Sequence, residues 1–337
     1  MAEPANAAEP SLPAGTTCWI FCSGKIGHEA NCRGVAAALG VEARELPVRP
    51  RKLFDLMAPW GPVDPRDAPG RGGLLEPPFP DIAIAAGRVT VPYLRRLKKA
   101  SGGSTFTVFL QDPRTGPKTA DLIWVPEHDR LRGDNVLVTL TSPHPLTPAR
   151  LAAARCDPDP RIARLASPRV ALVLGGPSGV HRFEEKDRAA LAEIARTILR
   201  DGRSLMVTPS RRTPHEVTEA VAEAVGAEGA GPDRAFVWRG EGHNPYLQML
   251  AHAVAVVVTA DSVNMVGEAT ATGAPVHLYE PTGGPSKTSG FLEKLIAGGY
   301  ARRWAGRLED WRYEPLDATG TIAREVVRRF RAFRAPV

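Results

Sequence analysis

Val254-Ala255-Val256-Val257-Val258-Thr259-Ala260-Asp261-Ser262-Val263-Asn264-Met265-Val266-Gly267-Glu268-Ala269 is the stretch that decides the fold. The run Val254–Thr259 is β-branched and has no polar alternation, which is the pattern of a strand buried on both faces. Asp261 or Ser262 then supplies the side-chain oxygen that caps a helix over Ser262–Thr272. A buried strand, a short polar turn and a helix form the repeating unit of a doubly wound parallel sheet. In such sheets ligands bind at the carboxyl ends of the strands.

The rhythm continues in both directions. Downstream, Val276–Tyr279 is a strand. Upstream, strands are expected at Val170–Leu174, Ser204–Val207 and Ala235–Val237, with helices over Glu184–Arg200, Pro214–Val225 and Pro245–Ala251. The amino-terminal half repeats the pattern more loosely. Thr16–Cys22 is a strand, a helix runs through Val35 and Leu39, and Val41–Val48 is a second strand. Further strands fall at Asp81–Ala85, Thr105–Leu110, Leu122–Val125 and Val136–Leu140, with a basic helix over Val91–Lys99. The Pro/Gly-rich residues 59–80 read as a long surface loop. Two doubly wound halves follow, with a head over 1–15, domains over 16–150 and 169–315, a linker over 151–168 and a terminal helix over 316–337. In that helix Ile322, Val326, Val327, Phe330 and Phe333 recur at helical spacing between arginines. The stripe suits packing on the protein or contact with a membrane surface.

Composition sets the outer bounds. The 337 residues exceed one ordinary core, and 43% apolar with 24% charged residues is globular usage. The net charge of +6 is modest and dispersed, with no aromatic-interleaved basic run of the kind that binds nucleic acid. Cys18, Cys22, Cys32 and Cys156 form no zinc pattern and read as thiols in a reducing compartment. The first residues lack the apolar core of a secretory signal, and no run reaches the length of a membrane span. The cytoplasm, with at most a peripheral membrane contact, is the expected location.

The loops after strands hold the candidate chemistry. Glycines at Gly175-Gly176-Pro177-Ser178-Gly179 permit close backbone approach to a phosphate or sugar, or simply make a tight turn. In Ser210-Arg211-Arg212 paired guanidiniums suit a diphosphate, or stand solvated at the surface. Asn244 lies in another strand-to-helix loop. The helix after Asp261 offers an N-terminal anion site near Ser262, Asn264 and Met265, with Glu268 two turns in as an acceptor for a ribose diol. Lys287, in a fifth polar stretch, suits a phosphate. In the first half, Lys25, Gly27, His28, Glu29 and Asn31 follow the first strand, Asp112 and Arg114 another, and His128 a third. His28, Glu29 or Asp112 suits the base that deprotonates an acceptor hydroxyl, and each equally suits a capping or surface role. There is no G-x-S-x-G, no H-E-x-x-H and no G-x-G-x-x-G after the first strand, which argues against hydrolase, zinc-protease and dinucleotide chemistry.

The wording of these loops resembles one family. Ser23-Gly24-Lys25-Ile26-Gly27-His28-Glu29-Ala30-Asn31 is similar to the "DGKPGHENQ"-like opening of the bacterial and plant mitochondrial fission (elongated-mitochondria) family. Gln111-Asp112-Pro113-Arg114, Pro126-Glu127-His128-Asp129, Gly175-Gly176-Pro177-Ser178, Asn244-Pro245-Tyr246 and Thr259–Ala269 extend the resemblance from about Thr17 to about Trp304. Ser23 and Ile26 stand where the family pattern often has Asp and Pro, so His28 and Glu29 rather than position 23 carry the catalytic expectation.

The resemblance implies an α/β, GT-B-like fold: two doubly wound Rossmann-like domains facing a central cleft, with the C-terminal helix returning to the N-terminal domain. It implies a metal-independent glycosyltransferase using a nucleotide-sugar donor as substrate, with no cofactor and a glycan or lipid-linked acceptor, in cell-envelope glycan or lipopolysaccharide assembly. On this reading Gly175, Gly176, Ser178, Ser210, Arg211, Asn244, Asp261, Ser262, Asn264, Met265, Glu268 and Lys287 hold the donor. His28, Glu29 and Asp112 are the catalytic candidates, and Lys25, Gly27, Asn31, Arg114 and His128 lie on the acceptor side. A non-catalytic adaptor, as in the plant members that help recruit a dynamin-like protein to mitochondria, and a nucleotide-sugar epimerase remain the alternatives.

Overall fold

A computed structural model describes residues 11–283 and 289–335. The chain divides into two compact units, one formed by residues 1–145 with 318–337 and the other by residues 146–317.

The first unit contains β1 (Cys18–Cys22), α1 (Ile26–Ala38), β2 (Ala43–Pro47), α2 (Lys52–Met57), β3 (Ile82–Ala85), α3 (Val91–Ala100), β4 (Phe106–Leu110), β5 (Leu122–Pro126) and β6 (Val136–Thr139). The strands make a parallel sheet in the order β2-β1-β3-β4-β5-β6. Every residue of β1, β3 and β4 is buried, as expected of central strands covered on both faces. The chain reverses its direction of travel across the sheet between β1 and β3, and that gap is the switch point at which ligands enter such folds.

The second unit contains α4 (Pro148–Cys156), α5 (Pro160–Ala163), β7 (Arg169–Leu174), α6 (Glu185–Arg200), β8 (Ser204–Pro209), α7 (His215–Ala227), β9 (Ala235–Val237), α8 (Tyr246–His252), β10 (Ala255–Thr259), α9 (Val263–Thr270), β11 (Val276–Tyr279), α10 (Ser289–Ala297) and β12 (Ala301–Arg303). Its parallel sheet runs β12-β11-β10-β7-β8-β9, with the switch between β7 and β10. The deciding stretch therefore sits where a ligand site belongs. All five residues of β10 are buried, and Ser262 caps α9.

Two expectations from composition are corrected. Residues 151–168 are not a linker: α4 and α5 fold within the second unit, where the Arg155 guanidinium donates to Ala251 O (2.8 Å) and Gln248 Nε2 to Asp157 O (2.9 Å). Two of the prolines that suggested a break, Pro148 and Pro160, stand at the first turns of these helices. Thr147 and Asp159 cap them by accepting from the amides of Arg150 and Arg161, a position where the missing proline N–H costs nothing. Residues 59–80 are not merely a surface loop either. Leu75 is wholly buried against β1 and α3, and the buried Asp64 carboxylate accepts from the Arg51 amide (3.0 Å), the Arg51 guanidinium (2.9 and 3.0 Å) and the Arg66 amide (3.1 Å). This convergence of donors holds the Asp64 carboxyl well below the usual carboxylate range.

The terminal helix α11 (Ala318–Arg334) belongs to the first unit. Ile322, Val326 and Phe330 complete a core cluster with Cys18, Ile20 and Val35. Phe106 packs edge-on against Phe330 (ring centroids 6.0 Å) and Phe333 (5.5 Å). Thr319 Oγ1 donates to His144 O (2.7 Å) and accepts from His144 N (2.8 Å). The apolar stripe is thus covered by protein. Phe330→Ala is expected to remove about 3–5 kcal/mol from the first unit's unfolding transition in a denaturant titration, leaving the second unit's transition in place.

Candidate functional site at the second switch point

The loops after β7, β8 and β10 are drawn together by one carboxylate. Asp261 is buried; its Oδ1 accepts from Thr259 Oγ1 (2.7 Å), while its Oδ2 accepts from Gly176 N (3.0 Å) and pairs with the Arg212 guanidinium (3.3 Å). Thr259 Oγ1 in turn accepts from Gly175 N (2.7 Å). A Cβ on Gly175 would lie 2.0 Å from Asp261 Oδ1, and one on Gly176 2.2 Å from Arg212 O. The glycines are required by contact between loops. Asp261 acts as a brace, and Arg212 joins it; Arg211 is left exposed at the strand end.

Beside this brace lies a cavity of about 200 Å³. Val173 of β7 and Thr208, Pro209, Ser210 and Arg211 at the end of β8 form one side. Trp238, Asn244 and Tyr246 form another, and Met265 and Glu268 of α9 a third. Ser210 is fixed by Thr213, whose hydroxyl accepts from the Ser210 amide (2.8 Å). Asn244 Oδ1 accepts from Tyr246 N (3.0 Å) and starts α8, while Trp238 Nε1 donates to Glu241 O (2.7 Å). Tyr246 Oη donates to Glu268 Oε2 (2.7 Å). Burial pushes the Glu268 carboxyl up to about 7, opposed by the Tyr246 hydrogen bond, and pushes the Tyr246 hydroxyl further above its usual range, with the Glu268 charge adding to the effect. The wall thus combines an aromatic face, hydroxyls, an exposed guanidinium and a carboxyl that changes charge near neutral pH.

Of the residues read from the sequence, Ser210, Arg211, Asn244, Met265 and Glu268 line this cavity. Gly175, Gly176 and Asp261 form the brace beside it. Ser262 Oγ accepts from Met265 N (3.5 Å) as the helix cap, and Asn264 is exposed in the first turn. Ser178 lies on a separate turn, its Oγ 3.0 Å from His181 Nδ1. Lys287 falls outside the described residues. Thr208, Trp238 and Tyr246 were missed as site residues. Thr208 lies near the end of β8, Trp238 directly follows β9 and Tyr246 begins α8, and that placement on the carboxyl edge was the available signal. Asp157 and Asp159 have the D-x-D spacing of metal-dependent transferases, but Asp159 caps α5 and is paired with Arg161 (2.6 Å).

In the first unit, the β1 and β3 loops meet at the switch. Ser23 Oγ lies 3.1 Å from His28 Nδ1, and Gly87 (φ +99°) leaves no room for a Cβ, which would fall 2.7 Å from that nitrogen. Burial, with the Lys25 charge, holds the His28 imidazole below its usual range and hence neutral near pH 7. The tautomer in which Nδ1–H donates to Ser23 Oγ leaves Nε2 able to take a proton. Glu29 is engaged otherwise: Oε1 accepts from Gly24 N (3.0 Å) and Oε2 pairs with Arg33 (3.2 Å). In the amide orientation its neighbours dictate, Asn31 donates to Gly27 O (3.0 Å) and Pro143 O (2.8 Å), tying α1 to the segment before α4. Asp112 Oδ1 accepts from Arg114 N (2.8 Å) in a turn that places Arg114 at φ +62°. His128 is exposed beside Asp129 (3.8 Å), and Lys25 and Gly27 are exposed. His28 is therefore the group among these with both an oriented ring and a second nitrogen that has no partner among the described residues.

The Glu268 shift has a thermodynamic signature. Its folded-state value lies above the ordinary 4.5, so its contribution to stability is full below about 4.5 and is lost as pH rises through about 7. Relative to Glu268→Gln, the wild type is expected to lose up to about 3 kcal/mol between pH 5 and pH 9, measured by denaturant titration at each pH. A constant difference between the two proteins would show that Glu268 does not titrate in this range.

The sequence profile of the mitochondrial fission ELM1 family matches residues 26–330. The mitochondrial fission protein ELM1 of Arabidopsis thaliana is 27% identical over 279 residues, covering 75% of this chain and 64% of that protein. An uncharacterized protein of Rickettsia prowazekii (strain Madrid E) is 34% identical over 90 residues, covering 26% of this chain and 25% of that one. The chain thus spans less than two thirds of the length of either relative. Among solved structures, the UDP-GlcNAc 2-epimerase from Methanocaldococcus jannaschii superposes with a TM-score of 0.56 at 11% identity, over 94% of this chain and 100% of that one. CalG4, the calicheamicin glycosyltransferase, superposes at 0.46 with 15% identity over 94% of each chain. The fold is α/β and GT-B-like. With a match running across almost the whole sequence, the chain belongs to the mitochondrial fission ELM1 family.

Proposed function

We propose that the protein is a glycosyltransferase that takes a nucleoside-diphosphate sugar as donor and transfers the sugar to the hydroxyl of a glycan or lipid-linked acceptor. The observation that carries the reading is the cavity at the second switch point. There Glu268, oriented by Tyr246, faces the same space as Ser210 and Arg211.

A carboxylate accepts two hydrogen bonds from a vicinal diol, so Glu268 is assigned to the ribose and Trp238 to the face of the base. Arg211 and the N-terminus of α9 are assigned to the diphosphate. In the transfer, the acceptor oxygen bonds to the anomeric carbon and the bond from that carbon to the diphosphate oxygen breaks. The electron pair leaves with the nucleoside diphosphate, whose charge Arg211 and the helix end offset without a metal. The acceptor proton goes to a base, and His28 Nε2 is assigned that role. Cell-envelope glycan assembly is the process to which the family resemblance points.

In a thermal-shift panel of UDP, GDP, ADP, CMP and dTDP, at least one nucleotide is expected to stabilise the protein, by about 2.7 kcal/mol when present at a hundred times its Kd. Glu268→Ala is expected to weaken that nucleotide's binding about 10- to 100-fold, the loss of hydrogen bonds to a charged group. Failure of every nucleotide to bind would overturn the donor assignment. Binding without turnover across a panel of acceptors would identify an adaptor, and donor conversion without acceptor an epimerase.

A further inference from the structure

Helix α2 and its flanks carry the three most exposed large apolar side chains among the described residues. None of the six residues of α2 is fully buried. Leu53 is 63% exposed, Leu56 79% and Trp60 67%, among the largest exposures of any big apolar side chain in the described residues. Leu53 and Leu56 are three apart and share a helix face. Arg49 and Lys52 stand exposed in the same stretch, and neither is held in an ion pair among the described residues.

The backbone beneath these side chains is tightly held. The Arg88 guanidinium donates to Ala58 O (2.8 Å) and Asp55 O and pairs with the Asp55 carboxylate, while Arg51 is fixed on buried Asp64. Asp55 and Asp64 are therefore neutralised by arginines. The surface is left apolar and positive, on a frame that pays little ordering entropy to present it.

We propose that residues 49–60 dock the first unit onto an anionic phospholipid surface. Leu53, Leu56 and Trp60 would enter the headgroup boundary, and Arg49 and Lys52 would meet lipid phosphates. Leucine and tryptophan beside basic residues is the composition of interfacial membrane elements. The patch is joined to the acceptor-side cluster through Arg88, which follows Gly87, the residue packed on Ser23 and His28. The docking does not depend on the donor assignment, and its test reads binding to lipid rather than turnover.

The full-length protein is sedimented with phosphatidylcholine vesicles with and without phosphatidylglycerol. It is expected to bind the anionic vesicles and to release at high salt. Leu56→Ser with Trp60→Ser is expected to weaken that binding at least about tenfold, and Arg49→Glu or Lys52→Glu at least about fivefold each. These side chains are exposed, so unchanged melting temperatures check the fold of every variant. As a measurement free of folding effects, bromolipid quenching of wild-type tryptophan fluorescence is expected to disappear in Trp60→Phe. Absence of wild-type binding to anionic vesicles overturns the proposal, as does equal binding by the Leu56→Ser/Trp60→Ser variant. A concentration-dependent dimer that this variant abolishes, without vesicle binding, assigns the patch to a second copy and overturns it too.

Discussion

A buried carboxylate must find donors or cost several kcal/mol, and the second unit is organised around the way Asp261 meets that demand. Its partners come from three separate strand ends: the Gly176 amide after β7, Arg212 after β8 and Thr259 at the end of β10. Satisfying one side chain therefore fixes three loops at the switch point. Once they are fixed, Ser210 and Arg211 have no choice of place, and α9 starts where Glu268 faces Tyr246. The first unit joins the loops at its own switch point with uncharged groups. There the β1 and β3 loops close through Gly87 lying against Ser23 and His28, and the missing Cβ does the work of the ion pair.

The buried strands were legible because an apolar run of that length has few other uses, and β10 with α9 could be read nearly to the residue. The fate of a polar residue after a strand was not. Asp261, Ser262 and Glu268 fall within one turn-and-helix, yet one braces loops, one caps the helix and one faces a cavity. Composition and spacing are identical under all three outcomes; what separates them is which partners other strands bring, and that is a property of topology. Pro148 and Pro160 misled for a related reason. Proline both ends helices and begins them, and only the capping Thr147 and Asp159 beside it decide which. Leu75 and Asp64 were hidden in a stretch whose glycines and prolines outnumber its apolar residues, so no periodicity marked them as buried.

Because α11 supplies Ile322, Val326 and Phe330 to the core cluster of the first unit, that unit is discontinuous in sequence while the second is contiguous. The core cluster of the second unit draws its described members from residues 170–308. The first unit lacks one wall until α11 is in place, and its sheet would expose Cys18, Ile20 and Phe106 without it. The second unit can therefore complete its fold first during synthesis, and the first closes last, against the order in which its strands are made.

The same helix shows why a count of basic residues misplaces function. Arg328 and Arg329 are bound by Glu325, whose carboxyl they hold down at about 2, Arg331 donates to Ser11 O and Arg334 pairs with Asp81. A helix whose arginines are engaged and whose apolar stripe is buried has little left to offer a partner. Around α2 the sequence looks less suggestive, but the acids are neutralised, two cations stay exposed and the apolar side chains point outward. Availability, which depends on what the fold has already satisfied, is the physical quantity that decides where such a surface can act.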